Sequence, residues 1–139
     1  MKRKWINMYM DICVRISKES KSKRLKVASL LVKDNNIISW GINGLPEGSV
    51  EDNLEDEEGK TKLDTVHSEI HAIIYAARLG HSTVGSTLFV THNPCLNCVS
   101  SIVSAGITHV IYKDDYRDLT GLDKLKQYEI KVEKLNYEI

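Results

Sequence analysis

The chain has 139 residues, 42% of them hydrophobic, enough for a single domain spanning 1–139 to bury a real core. Basic and acidic side chains number 19 each, so the formal net charge is zero, which argues against a protein that grips a long nucleic-acid backbone. No apolar run is long enough for a bilayer, and the basic start Met1-Lys2-Arg3-Lys4 leads into an amphipathic segment rather than a signal-peptide core. A cytoplasmic protein without membrane or nucleic-acid partners is expected.

Trp5 to about Glu19 reads as a helix, with Ile6, Tyr9, Met10, Cys13 and Ile16 near helical spacing. Lys18, Lys21, Lys23, Arg24 and Lys26 follow, a basic cluster suited to a mononucleotide or a nucleoside triphosphate. Val27 to Val32 and Ile37 to Ile42 then read as strands of a hairpin around the polar turn Lys33-Asp34-Asn35-Asn36. Gly44 to Asp64, with Gly44, Pro46, Gly48, Gly59 and an acidic run, shows no periodicity and is expected to be a flexible functional loop.

Val66 to Leu79 has Ile70, Ile73, Ile74 and Ala77 at helical spacing, which predicts a buried helix carrying His67 and Glu69 in its first turn. A strand at Thr87 to Thr91 precedes a second short helix, opened by Pro94 and running through Val99, Ile102 and Val103. A strand at His109 to Tyr112, a helix near Leu119 to Tyr128 and a strand at Ile130 to Leu135 complete the chain. Alternation of this kind predicts an α/β fold: a three-layer α/β/α sandwich with a five-stranded mixed sheet and the two motif-bearing helices side by side.

Those helices carry the chemistry. His67-Ser68-Glu69 and Pro94-Cys95-Leu96-Asn97-Cys98 offer three zinc ligands, His67, Cys95 and Cys98, and one carboxylate. A structural zinc closes its tetrahedron with four protein ligands, whereas a catalytic zinc keeps one position for water and lowers that water's pKa to roughly 7. Glu69 is then the proton carrier. A lone HxE carries little information and a lone CxxC fits redox chemistry or structural zinc equally well, but the two in this order, with the proline, point to a catalytic site. Cys13 reads as a small buried residue, and His71, His81, His92 and His109 as structural or exposed rather than ligating.

The H-x-E…P-C-x-x-C arrangement resembles that of the zinc nucleobase deaminases. Together with the G-x-N-G-x-P-x-G pattern inside Ile38 to Gly48, the insert before His67 and the Asp115-Tyr116-Arg117 tail, it resembles deoxycytidylate (dCMP) deaminases, particularly phage and bacterial forms, from about Lys18 to Leu135. The resemblance implies a cytidine deaminase-like fold and conversion of dCMP and water to dUMP and ammonia, supplying dUMP for thymidylate synthesis. It implies one zinc per chain, Glu69 as acid and base, and substrate contacts from Arg24, Asn43, Pro94 and Tyr116. It further implies a homo-oligomer, hexameric in relatives, activated by dCTP and inhibited by dTTP, each with Mg²⁺. Lys23, Lys26, Gly44, Leu45, Pro46, Gly48 and His71 are the expected effector residues, and 44–64 is the expected regulatory insert.

Two departures stand out. Many relatives read H-A-E-x-N where this chain has His67-Ser68-Glu69-Ile70-His71, and some bind a second zinc through cysteines near Ser22 and Ser49, so a second zinc is expected to be missing. Plainer readings are a strand-ending turn for Asn43 and a solvated cation for Arg24. The rival functions are deamination of another base or nucleotide (dCTP, cytidine, tRNA adenosine) and a zinc-stabilised nucleotide sensor whose catalysis has lapsed. The intact Glu69 argues against the sensor.

Overall fold

The structure is a computed structural model that describes residues 1–116 and 118–136; Arg117, paired with Tyr116 in the family resemblance, lies outside them. The elements run α1 (Arg3–Ser17), β1 (Ala28–Lys33), β2 (Asn36–Ile42), α2 (Ser68–Arg78), β3 (Thr87–His92), α3 (Leu96–Ser104), β4 (His109–Asp114), α4 (Thr120–Gln127) and β5 (Lys131–Lys134). One five-stranded sheet has the order β2-β1-β3-β4-β5. Strand β1 pairs antiparallel with β2 and β3, while β3–β4 and β4–β5 are parallel. Parallel neighbours cannot be joined by a tight turn, and α3 and α4 are the crossovers. The β1–β2 connection is the tight turn the sequence predicts, with Asp34 and Asn35 both at positive φ (51° and 57°), as a two-residue type I′ turn requires.

Alternation along the strands splits the core in two. Leu31, Leu88, Val90, Val110 and Tyr112 pack with Ala72, Ala76, Cys98, Val99, Ile102, Leu122 and Leu125 of α2, α3 and α4. Leu30, Val32, Phe89 and Ile111 point the other way, onto Ile6, Tyr9, Met10 and Cys13 of α1. The sheet is therefore sandwiched, with one helix on one face and three on the other. Cys13 is fully buried, and burial pushes its thiol pKa above the ordinary range, which suits an inert packing residue. Among the described residues no helix is long and apolar enough to cross a membrane.

Helix α2 buries a different face from the one its isoleucines suggest. Ser68, Glu69, His71, Ala72 and Ala76 are buried, while Ile70 and Ile73 are only partly covered and Ile74 is 43% exposed. The reason lies in β2. A Cβ on Gly41 would sit 2.6 Å from both the Ala72 nitrogen and the Ser68 oxygen, so helix and strand backbones approach closely and only small side chains fit between them. Ser39 reinforces the contact, its hydroxyl donating to the Ala72 carbonyl at 2.6 Å.

The 44–64 segment holds no helix or named strand, but it is pinned at three points. Gly44 and Val66 exchange backbone hydrogen bonds at its neck (3.1 and 2.7 Å), Leu54 is buried, and the Glu55 carboxylate reaches back to the 20–26 loop.

Candidate metal centre and substrate cleft

His67 and Cys95 are not inside helices but cap them. Each has extended backbone (φ −67°, ψ 152° and φ −77°, ψ 162°) as the N-cap of α2 and α3, with its side chain making no capping hydrogen bond. Cys98 sits in the first turn of α3, its N–H donating to the Cys95 carbonyl at 3.1 Å. Two helix N-termini thus converge on one point, where their dipoles favour thiolate.

The His67 Nδ1, Cys95 Sγ and Cys98 Sγ atoms form a triangle with edges of 3.2, 3.3 and 3.6 Å. A tetrahedral zinc with ordinary bond lengths spans ligand-to-ligand edges of roughly 3.6–3.8 Å, so the triangle has only to open by a few tenths of an ångström to seat the ion. The donor set fits zinc. Among the described residues it is the one group of three or more His, Cys, Asp or Glu side chains arranged to hold a metal, and His71, His81, His92 and His109 lie outside it. The Cys95 thiol is pushed down to about 4, first by its contact with the Cys98 thiol and then by His67; Cys98 is pushed up by the same contact and by burial. His67 is raised by its contact with Cys95.

Glu69, 4% exposed, lines the same cleft as His67 and Cys95, a concavity of about 200 Å³. Arg24, Asn43 and Tyr116 also line it, so three of the four expected substrate residues gather around the metal ligands. Pro94 does not; it is fully buried, and its carbonyl lies so near α4 that a Cβ on Gly121 would come within 2.5 Å of it. Its neighbour Asn93 holds the rim instead. The Asn93 side chain donates to the Asp118 carbonyl at 2.8 Å and accepts from the Tyr116 N–H, which places Tyr116 edge-on to His92 (81°, centroids 6.5 Å apart). Burial holds His92 below the ordinary imidazole value.

Asn43 is already engaged. Its Oδ1 accepts from the Ser20 hydroxyl (2.6 Å) and the Val27 N–H (3.0 Å), and its Nδ2 donates to the Leu25 carbonyl (2.8 Å). The carboxamide therefore shapes the loop that carries Arg24. Glu55 Oε1 fastens the same loop, accepting from the Ser22 hydroxyl (3.0 Å) and the amides of Lys23 (2.9 Å) and Arg24 (3.3 Å). Burial works to raise the Glu55 pKa, but these donors outweigh it and hold the carboxyl below its usual range. Neither Glu55 nor Asn93 stands out in sequence, the first being one acid among several and the second masked by the proline motif beside it.

A larger cavity of about 690 Å³ lies on the other side of Asn43, which lines both. Gly44, Leu45, Pro46, Gly48 and His71 line it together, and its basic residues are Lys21 and Arg78; Lys23 and Lys26 line neither cavity. His71 Nδ1 lies 2.7 Å from the Ile42 carbonyl, which can only accept, so this nitrogen carries the hydrogen; the ring stacks on Tyr75 (5.4 Å, 13°).

Residues 3–114 match the sequence family described as the cytidine and deoxycytidylate deaminase zinc-binding region. The chain is 34% identical over 118 residues to ComE operon protein 2 of Bacillus subtilis, covering 81% of this chain but only 61% of that protein. It is 30% identical over 121 residues to the deoxycytidylate deaminase of Mycobacterium phage D29, covering 78% of this chain and 93% of the phage protein. Among solved structures, the dCMP deaminase of cyanophage S-TIM5 in complex with dCMP and dUMP matches at TM-score 0.94 and 37% identity, over 97% of this chain and 99% of that one.

Proposed function

Because the chain belongs to the cytidine and deoxycytidylate deaminase family, we propose that it hydrolyses dCMP to dUMP and ammonia. The observation that carries this reading is the incomplete ligand set: three donors, not four, beside a buried carboxylate in a cleft that also presents an arginine. His67, Cys95 and Cys98 would hold the ion, which when bound would supply an activated water. Glu69 would accept a proton from the attacking water, deliver it to ring N3, and then help protonate the departing amine. Amide N–H groups at the start of α3 would hold the oxygen arriving at C4. Arg24 receives the phosphate, Tyr116 closes the rim beside it, and Asn43 supports the sugar end from its place in the wall. Ammonia release from dCMP, dCTP, cytidine and a tRNA tests the reading: turnover of dCMP far above the rest supports it, and preference for any other substrate replaces it.

The larger cavity is the effector site, and the 44–64 segment is its regulatory wall. Glu19, Glu47, Glu51 and Asp52 line it, and its cations Lys21 and Arg78 already face Asp52 (2.5 Å) and Glu47 (3.5 Å). A bare triphosphate would meet an excess of carboxylates, which is a physical reason for dCTP and dTTP to bind with Mg²⁺. Exposed Trp40 and Leu79 line this cavity and, with exposed Ile74 of α2, offer apolar area for assembly into a homo-hexamer in the cytoplasm.

A further inference from the structure

Strand β1 reads Ala28-Ser29-Leu30-Leu31-Val32, and its serine is wholly buried in an otherwise apolar run. A buried hydroxyl is costly unless it is hydrogen-bonded. The Ser29 hydroxyl lies 2.8 Å from that of Ser68, and Ser68 Oγ lies 2.7 Å from Glu69 Oε1; the three residues are 0%, 1% and 4% exposed. Ser68 donates to Glu69 Oε1, which uses its one hydroxyl hydrogen, so Ser29 in turn donates to Ser68. The chain of donors has one direction and ends on the proton carrier.

We infer that Ser68, backed by Ser29, is a positioning residue that fixes the plane of the Glu69 carboxylate. The inference rests on the deaminase reading for its catalytic consequence, though not for its geometry. The terminal torsion of a glutamate is broad and has no sharp rotamer of its own, so an unheld carboxylate samples many planes. Fixing Oε1 fixes both oxygens, and burial makes the bond more effective than it would be in water. The anchor is rigid because β1 is hydrogen-bonded on both sides, Ser29 pairing with Gly41 and with Val90. Gly41 is also what lets the α2 backbone come close enough for Ser68 to meet β1. Ser68→Ala removes one hydroxyl and adds no bulk to the close α2–β2 contact, so the variant is expected to fold.

Infrared difference spectra between each protein and its counterpart carrying Glu69→Gln isolate the Glu69 carboxylate stretch, with or without zinc. In Ser68→Ala that band should shift and broaden, zinc should stay at about one per chain, and kcat for dCMP should fall roughly tenfold with KM nearly unchanged. Ser29→Ala should produce a smaller loss, and the double variant should be no worse than Ser68→Ala alone, since both act through one bond. An unshifted band in Ser68→Ala, or losses that multiply in the double variant, would overturn the inference. If the unmodified protein turns over none of the nucleotides, the deaminase reading fails while the infrared comparison still decides whether Ser68 holds Glu69.

Discussion

Glu69 and Cys95 line one cleft, yet their substitutions should fail in different ways. Glu69→Gln is expected to keep about one zinc per chain and to lose ~10²–10⁴-fold in activity, because the carboxylate moves protons and does not hold the ion. Cys95→Ser should lose metal and thermal stability together, since metal affinity is also folding free energy; metal analysis and melting curves on both variants separate the roles. Arg24→Ala should weaken dCMP turnover by roughly 1.5–3 kcal/mol in kcat/KM while leaving the poorer reaction of deoxycytidine nearly unchanged. Equal losses on both substrates would move Arg24 from phosphate recognition to support of the loop that Asn43 and Glu55 fasten. The cluster of His67, Cys95 and Cys98 was legible in sequence because its motifs are local: His67 stands two residues from Glu69, and Cys95 three from Cys98. Ser29 was not, because its partner Ser68 is 39 residues away and a serine in a strand announces nothing until the sheet forms.

At the level of elements, the hairpin, the five strands and the four helices could be read from periodicity and turn chemistry, with ends shifted by a residue or two. The buried face of α2 could not. Isoleucine spacing marks a helix that buries bulk, but this one is drawn against β2 by Gly41, and its innermost positions have to be small. The closeness makes Gly41→Ala a severe change. Its new methyl would strike backbone atoms of Ser68 and Ala72, which cannot swing aside, so a loss of about 1–3 kcal/mol or more is expected, measured by denaturant midpoint. Activity should fall further than stability alone explains, because displacing the start of α2 displaces His67 and Glu69 with it. The 44–64 insert reads as an unstructured run for a related reason: its fixed points, Leu54 in the interior and Glu55 on the Ser22 to Arg24 loop, are tertiary and have no period.

Across the whole molecule, two cavities share Asn43, whose carboxamide holds the loop bearing Arg24 while its backbone leads into the larger cavity's wall at Gly44. A ligand that favoured one arrangement of that wall would also change the smaller cleft, a coupling of about 1–3 kcal/mol in typical cases. Sigmoidal dCMP kinetics are therefore expected, made hyperbolic by dCTP–Mg²⁺ and suppressed by dTTP–Mg²⁺. Steady-state curves on zinc-loaded protein, with each triphosphate and with Mg²⁺ withheld, check this; hyperbolic curves indifferent to both nucleotides would remove the regulatory role and leave the catalytic one standing. The far side of the sheet has a different significance. The cluster of Ile6, Tyr9, Met10, Cys13, Phe89 and Ile111 under α1 shares no residue with either cavity wall. Exchanges there should raise or lower heat tolerance with turnover left alone, so adaptation to a warmer or colder setting and adaptation to a different nucleotide supply have separate addresses in the same short chain.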